Sequence, residues 1–157
     1  MIITRLKTVW FAAVGMAFAA PLQAASPVSL DSEVKVERTV NEGGVDRRIL
    51  APPVDVVPGD RLVFETNYAN KSDKAVDNFV VTNPLPAAVK LAEQDSTFDM
   101  SIDGGKTYFA SIASLTVPDE EAGSRAASLS DVTHIRWTIP RVAAGESGSV
   151  SYHAIVR

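Results

Sequence analysis

The chain contains no cysteine and only two histidines. Without a thiol there is no disulfide framework, no lipoprotein anchor, no thiolate nucleophile and no Cys-ligated zinc. The fold must hold itself by its core. An excess of basic residues is also missing, because the formal net charge is −4, and an acidic chain has no electrostatic reason to seek nucleic acid. After residue 25 no stretch is apolar enough to span a bilayer, and no convincing long helix shows in the pattern.

What the chain does have begins with a secretory pattern. Arg5 and Lys7 form a positive n-region, and Val9 to Ala20 is an apolar, Ala-rich core of the length a signal peptide needs. Pro21-Leu22-Gln23-Ala24-Ala25 then breaks the helix and offers small residues to a peptidase. Residues 1–25 are thus expected to be a cleaved signal peptide and residues 26–157 one domain. Losing Arg5 and Lys7 moves the formal charge from −4 to −6. About 130 mature residues make one ordinary domain with a sizeable core. The chain reaches Ile155-Val156-Arg157 still reading as a strand, with no sorting tail or downstream anchor. A soluble periplasmic or extracellular protein, with no membrane insertion after cleavage, is the expectation.

The dominant period of the mature chain is two. Val34, Val36 and Val40 alternate with Lys35, Glu37 and Thr39 up to Asn41-Glu42-Gly43-Gly44. Residues 47–57 read as a linker, since Pro52-Pro53 cannot donate two ladder hydrogen bonds. Val57-Pro58-Gly59-Asp60 is a tight turn into a strong strand, in which Leu62, Phe64, Thr66 and Tyr68 share the inner face. Val76 to Thr82 is apolar on both faces and reads as a central strand, closed by Asn83-Pro84-Leu85-Pro86. Phe98, Met100 and Ile102 lead into Asp103-Gly104-Gly105, a hairpin turn before Tyr108 and Phe109.

From Ala110 to Ser130 the pattern weakens. One short strand around Leu115 to Val117, or a helical turn near Ser128 to Asp131, is what it supports. The last two strands are clear. Thr133, Ile135, Trp137 and Ile139 share a face, as do Val150, Tyr152, Ala154 and Val156, with Pro140 to Gly148 between them. Seven or eight short strands without a long helix predict an all-β, antiparallel β-sandwich.

Several of these stretches occur together in one order: Val57-Pro58-Gly59-Asp60, Tyr68-Ala69-Asn70, Val80-Val81-Thr82-Asn83-Pro84-Leu85-Pro86, Ser101-Ile102-Asp103-Gly104-Gly105-Lys106-Thr107-Tyr108 and Ile135-Arg136-Trp137. With Ala144-Gly145-Glu146-Ser147 they resemble the bacterial surface-repeat module of unknown function usually called the DUF-eleven conserved repeat domain. The resemblance covers about residues 30 to 157. It implies an immunoglobulin-like sandwich of exported or cell-surface proteins, with structural or adhesive roles and no catalytic residues. The chain departs from the commoner pattern in being a single copy without a surface-anchoring tail.

His134 and His153 would pair across the final hairpin as the start of a metal site, but spacing supplies no third ligand. Asp95, Asp99 and Asp103 are four apart rather than two, with no terminal Glu, so the twelve-residue calcium loop fails. Asp119, Glu120 and Glu121 read as a solvated turn that could hold calcium weakly. Gly145-Glu146-Ser147-Gly148 lacks the strand-to-helix setting of a nucleophile elbow. Lys35, Glu65 and Asn67 are the residue types of an isopeptide crosslink and lie on polar strand faces. Trp137 falls in phase with the core, which leaves Tyr108 at its hairpin as the better exposed aromatic beside Tyr152.

No catalytic residue, cofactor site or metal site is therefore predicted. The expectation is a non-enzymatic exported module, structural or protein-binding, whose partner is another exported or envelope protein. Binding would use loops or strand addition, with Ser149 to Arg157 and the first strand as candidate edges. The alternative is a small accessory domain for carbohydrate or calcium, using Tyr108 and the acidic loop near Glu120.

Overall fold

A computed structural model describes residues 27–157. The expected signal peptide lies outside the described residues. The rest is all-β: β1 (Val28–Glu42), β2 (Val45–Ala51), β3 (Arg61–Asn70), β4 (Val76–Pro84), β5 (Val89–Leu91), β6 (Asp99–Ser101), β7 (Thr116–Asp119), β8 (Gly123–Ala126), β9 (His134–Val142) and β10 (Ser147–Val156). One 3-10 turn, Leu129–Asp131, falls where the sequence allows a helical turn.

Every strand pair is antiparallel. A five-stranded sheet runs β2-β1-β3-β10-β5, a three-stranded sheet runs β4-β9-β6, and β7-β8 is a separate ribbon. Cross-layer contacts fix the stacking of the two larger sheets. Tyr68 and Phe79 place β4 over β3, with ring centroids 6.2 Å apart, and Trp137 and Tyr152 place β9 over β10 at the same spacing. Only three strands face five. The β1-β2 end of the larger sheet therefore reaches past its cover.

The alternation in β3 holds in part: Val63, on the face opposite Leu62, is buried as well, and Phe64 and Tyr68 are half-buried. Leu62 and Thr66 are buried on the inner face, and Phe64 stacks on Tyr152 at 4.8 Å. Burial of each large side chain contributes roughly 1.5–3 kcal/mol against the entropy of ordering it. Val81, Leu91, Met100, Ile135 and Trp137 complete the centre of the core. Polar groups there are satisfied across layers, since Asn83 Nδ2 donates to Thr66 Oγ1 at 2.8 Å and Ser32 Oγ lies 3.0 Å from the same oxygen.

Asn70 closes one end of the body. Its buried Nδ2 donates to the carbonyls of Lys74, Val142 and Ala143, while its Oδ1 accepts from Ser72 N–H and Oγ–H. This one amide ties the end of β3 to the turn that carries β9 of one sheet into β10 of the other. That turn, Ala143 to Glu146, is where the chain changes layer.

Three expectations need correction. Residues 47–57 are not all linker: Val45–Ala51 form β2, paired to β1 from Val36↔Ala51 to Glu42↔Val45. The strand Val76–Pro84 is an edge, not central, because its second apolar face is solvent-facing and leaves Val80 47 % exposed. The ladder of β4 with β9 also skips Asn78 and Pro140, where Asn78 takes a φ of 52°. Finally, the weak stretch from Ala110 to Ser130 holds two short strands, β7 and β8, rather than one.

Candidate functional site

The final strand is only half an edge. Its C-terminal part is covered by β5 through Ala154↔Leu91, Ile155↔Lys90 and Val156↔Val89. On its other side β3 pairs it from Ser147 to Ile155. Ser147 to Tyr152 thus has a neighbour on one side alone. The first strand is likewise interior, between β2 and β3, with its β2 side open over residues 28–35.

Ladder geometry says which groups that open half presents. His153 C=O accepts from Ala92 N–H at 2.9 Å on the β5 side. Because successive residues of a strand point their N–H and C=O to opposite sides, Ser151, Ser149 and Ser147 aim theirs the same way. No described strand meets them. The edge carries neither charge nor proline between Ser147 and Tyr152, the two devices that ordinarily protect a strand edge.

The opposite sheet is open along the same flank. β6 pairs with β9 only from His134 to Arg136, so Thr138 and Pro140 have no partner on that side. Pro140 has no N–H to offer, and this second edge is blunted accordingly. Between the two edges lies a groove of about 480 Å³. Trp137 and Ile139 form one wall, Val150 and Ser151 the other, and Asp95 and Thr97 stand at its head. Trp137 is a core residue, 3 % exposed, with its ring edge-on to Phe98 at 5.6 Å.

The residues sought for other chemistry are engaged elsewhere. His134 and His153 lie on strands of different sheets. His134 Nδ1 sits 3.1 Å from Thr133 Oγ1. The ring of His153 lies between Glu37, at 3.3 Å, and Glu93, at 2.7 Å, and Arg61 bridges the same two carboxylates. The hydrogen bond from His153, and then the one from Arg61, hold Glu93 below the usual carboxylate range. Among the described residues no cluster of His, Asp and Glu is arranged to hold a metal ion.

The three spaced aspartates are engaged separately, Asp95 and Asp103 within their own loops and Asp99 across the β6-β9 ladder. Asp95 accepts from Thr97 N–H, which lowers its pKa, and Asp99 pairs with Arg136 at 3.2 Å. Asp103 accepts from the Thr107 hydroxyl and N–H, from Ser101 Oγ–H and from Lys106 N–H, and these hold it far below the ordinary carboxylate range. Asp119 accepts from Ala122 and Glu121 N–H, which lower it in turn, while Glu120 and Glu121 stay exposed.

Lys35 lies on the outer face, 2.7 Å from Glu33 and 3.3 Å from Glu65. Asn67 is two residues along β3 from Glu65, opposite Asp31 rather than Lys35, so the crosslinking trio does not assemble. The Tyr108 ring lies under the Arg136 guanidinium at 4.1 Å, and Tyr152 is buried against Phe64. Burial pushes the Tyr152 phenol well above its ordinary range. Glu146 takes the Ala143 N–H within the turn between β9 and β10, and Ser147 begins β10.

What sequence reasoning missed is the division of the last strand into a paired and an unpaired half. The signal was faint: Val89-Lys90-Leu91 is an apolar-polar-apolar triplet too short to read as a strand by itself. Compared with family models, with curated proteins and with solved structures, the chain matches none.

Proposed function

We propose that this chain is an exported, non-enzymatic interaction module with an immunoglobulin-like sandwich, and that it binds an extended segment of another exported or envelope protein by strand addition to β10. One observation carries the reading: Ser147 to Tyr152 offers an uncharged, proline-free open edge above a groove whose far wall is Trp137 and Ile139. Main-chain bonds to Ser149 and Ser151 would supply affinity, and alternate side chains entering the groove would supply selectivity. The secretory pattern of residues 1–25 supports export, and the ordered resemblance to the surface-repeat module supports an adhesive role.

The carbohydrate or calcium alternative has less to work with. Arg136 already covers the Tyr108 face, and Asp119 is engaged by its own turn.

The test is selection of extended peptides on the mature chain, followed by amide exchange. Bound peptide should slow exchange at Ser149 and Ser151, and Ser149→Pro should abolish binding, since that N–H is not used by β3. Peptides that bind Ser149→Pro as well as the parent would overturn the proposal. So would a calcium-dependent thermal shift lost on Glu120→Ala with Glu121→Ala.

A further inference from the structure

The exposed apolar surface of this molecule is concentrated in one place. Of the nine exposed large hydrophobic residues among those described, six fall between Val45 and Val57: Val45, Ile49, Leu50, Val54, Val56 and Val57. The first three belong to β2. Beyond Val36, β1 and β2 form a two-stranded arm that leaves the body, with Val45 68 % and Leu50 52 % exposed. An exposed cluster of this kind marks an interaction surface. The arm's outer strand pairs only with β1 and has a free outer edge along all seven of its residues.

The open edges of β2 and β10 invite pairing between copies, and charge disfavours the most extensive pairing of β2 with itself. Two β2 edges aligned antiparallel in full register would set Arg48 against Arg48. A slip of one residue toward the hairpin tip would set Arg47 against Arg48. Like charges directly opposite are destabilising. The β10 edge has no charge to oppose them, and its groove has the anion Asp95 at the head. Asp95 makes no ion pair among the described residues, while Arg47 holds only an exposed contact of 3.5 Å to Glu42.

The dimensions agree. Ser147 to Tyr152 spans about 20 Å and β2 about 24 Å at strand rise. Val45, Arg47, Ile49 and Ala51 share one face of β2 by alternation. That face would bring Ile49 toward the Trp137 and Ile139 wall with Arg47 toward Asp95.

We infer that the occupant of the β10 groove is the β2 arm of a second copy of this chain. The inference rests on the strand-addition reading above and names its partner. The contact joins two different surfaces, so each copy keeps one free arm and one free groove. Head-to-tail growth follows, into rings or filaments according to the rotation per copy.

Sedimentation of the mature chain over a wide dilution series tests this. Association beyond a dimer is expected, with Ser149→Pro and Val45→Asp/Ile49→Asp each monomeric alone. Mixed together, one variant supplies an intact arm and the other an intact groove, and a one-to-one heterodimer should form. If Ser149→Pro fails to fold, Asp95→Arg replaces it; it should weaken assembly, and Arg47→Asp in the same chain should restore it. A parent that stays monomeric throughout, or a mixture that gives no heterodimer, would overturn the inference. Peptides that still bind the groove of the monomeric arm variant would then leave the strand-addition reading standing; their loss from that edge would remove both.

Discussion

The pairs β1-β2 and β4-β9 are both antiparallel ladders that carry apolar side chains, and they end in opposite environments. On β9, Ile135 and Trp137 are 0 % and 3 % exposed, whereas Val45 on β2 is 68 % exposed. The difference lies in what faces each pair. β9 looks onto β3 and β10 across the core, but the smaller sheet has no strand to lay over the β1-β2 arm. Alternation therefore tells that a strand has an apolar face, while the strand count of the opposite sheet decides whether that face is covered at home.

The sharpest way to break the comparison is at Trp137. This ring fills the space between Phe98 and Tyr152, and its removal leaves a cavity that two rigid sheets cannot close. Trp137→Ala is expected to cost about 3–5 kcal/mol in urea unfolding, a large fraction of the stability of a domain this size. A cost below about 1 kcal/mol would mean that the groove flank is not packed as described.

Trp137 is legible in the sequence, and its neighbours are less so for a physical reason. Trp137 falls in phase with Ile135 and Ile139, and Leu62 to Tyr68 keeps an unbroken period of two, so the central strands announce themselves. β2 does not, because Arg47-Arg48-Ile49-Leu50 pairs charge with charge and apolar with apolar before two prolines. Neither face of such a strand is uniform, which is what an arm outside the core permits. The edge position of β4 was hidden for a related reason: Val80 suggests a second covered face that no layer supplies. The candidate site was half legible. The last strand reads in the sequence as a candidate edge, and its pairing with Val89–Leu91 shows where the opening begins.

A second break tests the groove end of the body, with a smaller effect. Gly148 is needed in β10 because the Tyr68 ring lies across it from β3. A Cβ built there would meet Tyr68 Oη and stand 2.6 Å from Cζ. Gly148→Ala should destabilise by about 1–3 kcal/mol through overpacking. Its cost should shrink when Tyr68→Ala is made in the same chain, because neighbours that share space are not additive. Urea midpoints for the two single variants and the double variant measure that coupling. Strict additivity would show that Tyr68 has another place to go.

The smallest effect belongs to the arm, and its smallness is the point. Ile49 lies opposite Arg38 on the same hairpin face as Val45, with solvent where the core residues of the body have a second sheet. In dilute solution Ile49→Ala should change unfolding stability by no more than about 0.5 kcal/mol, the range of surface substitutions. An isoleucine that contributes so little to its own fold, on a strand whose edge is free, is held by no requirement of the monomer. If the arm docks in the groove of a neighbour, the same variant measured at high concentration should lose assembly and the stabilisation that association brings by mass action. The gap between dilute and concentrated melting temperatures, present in the parent and absent in Ile49→Ala, separates a residue that packs at home from one that packs elsewhere.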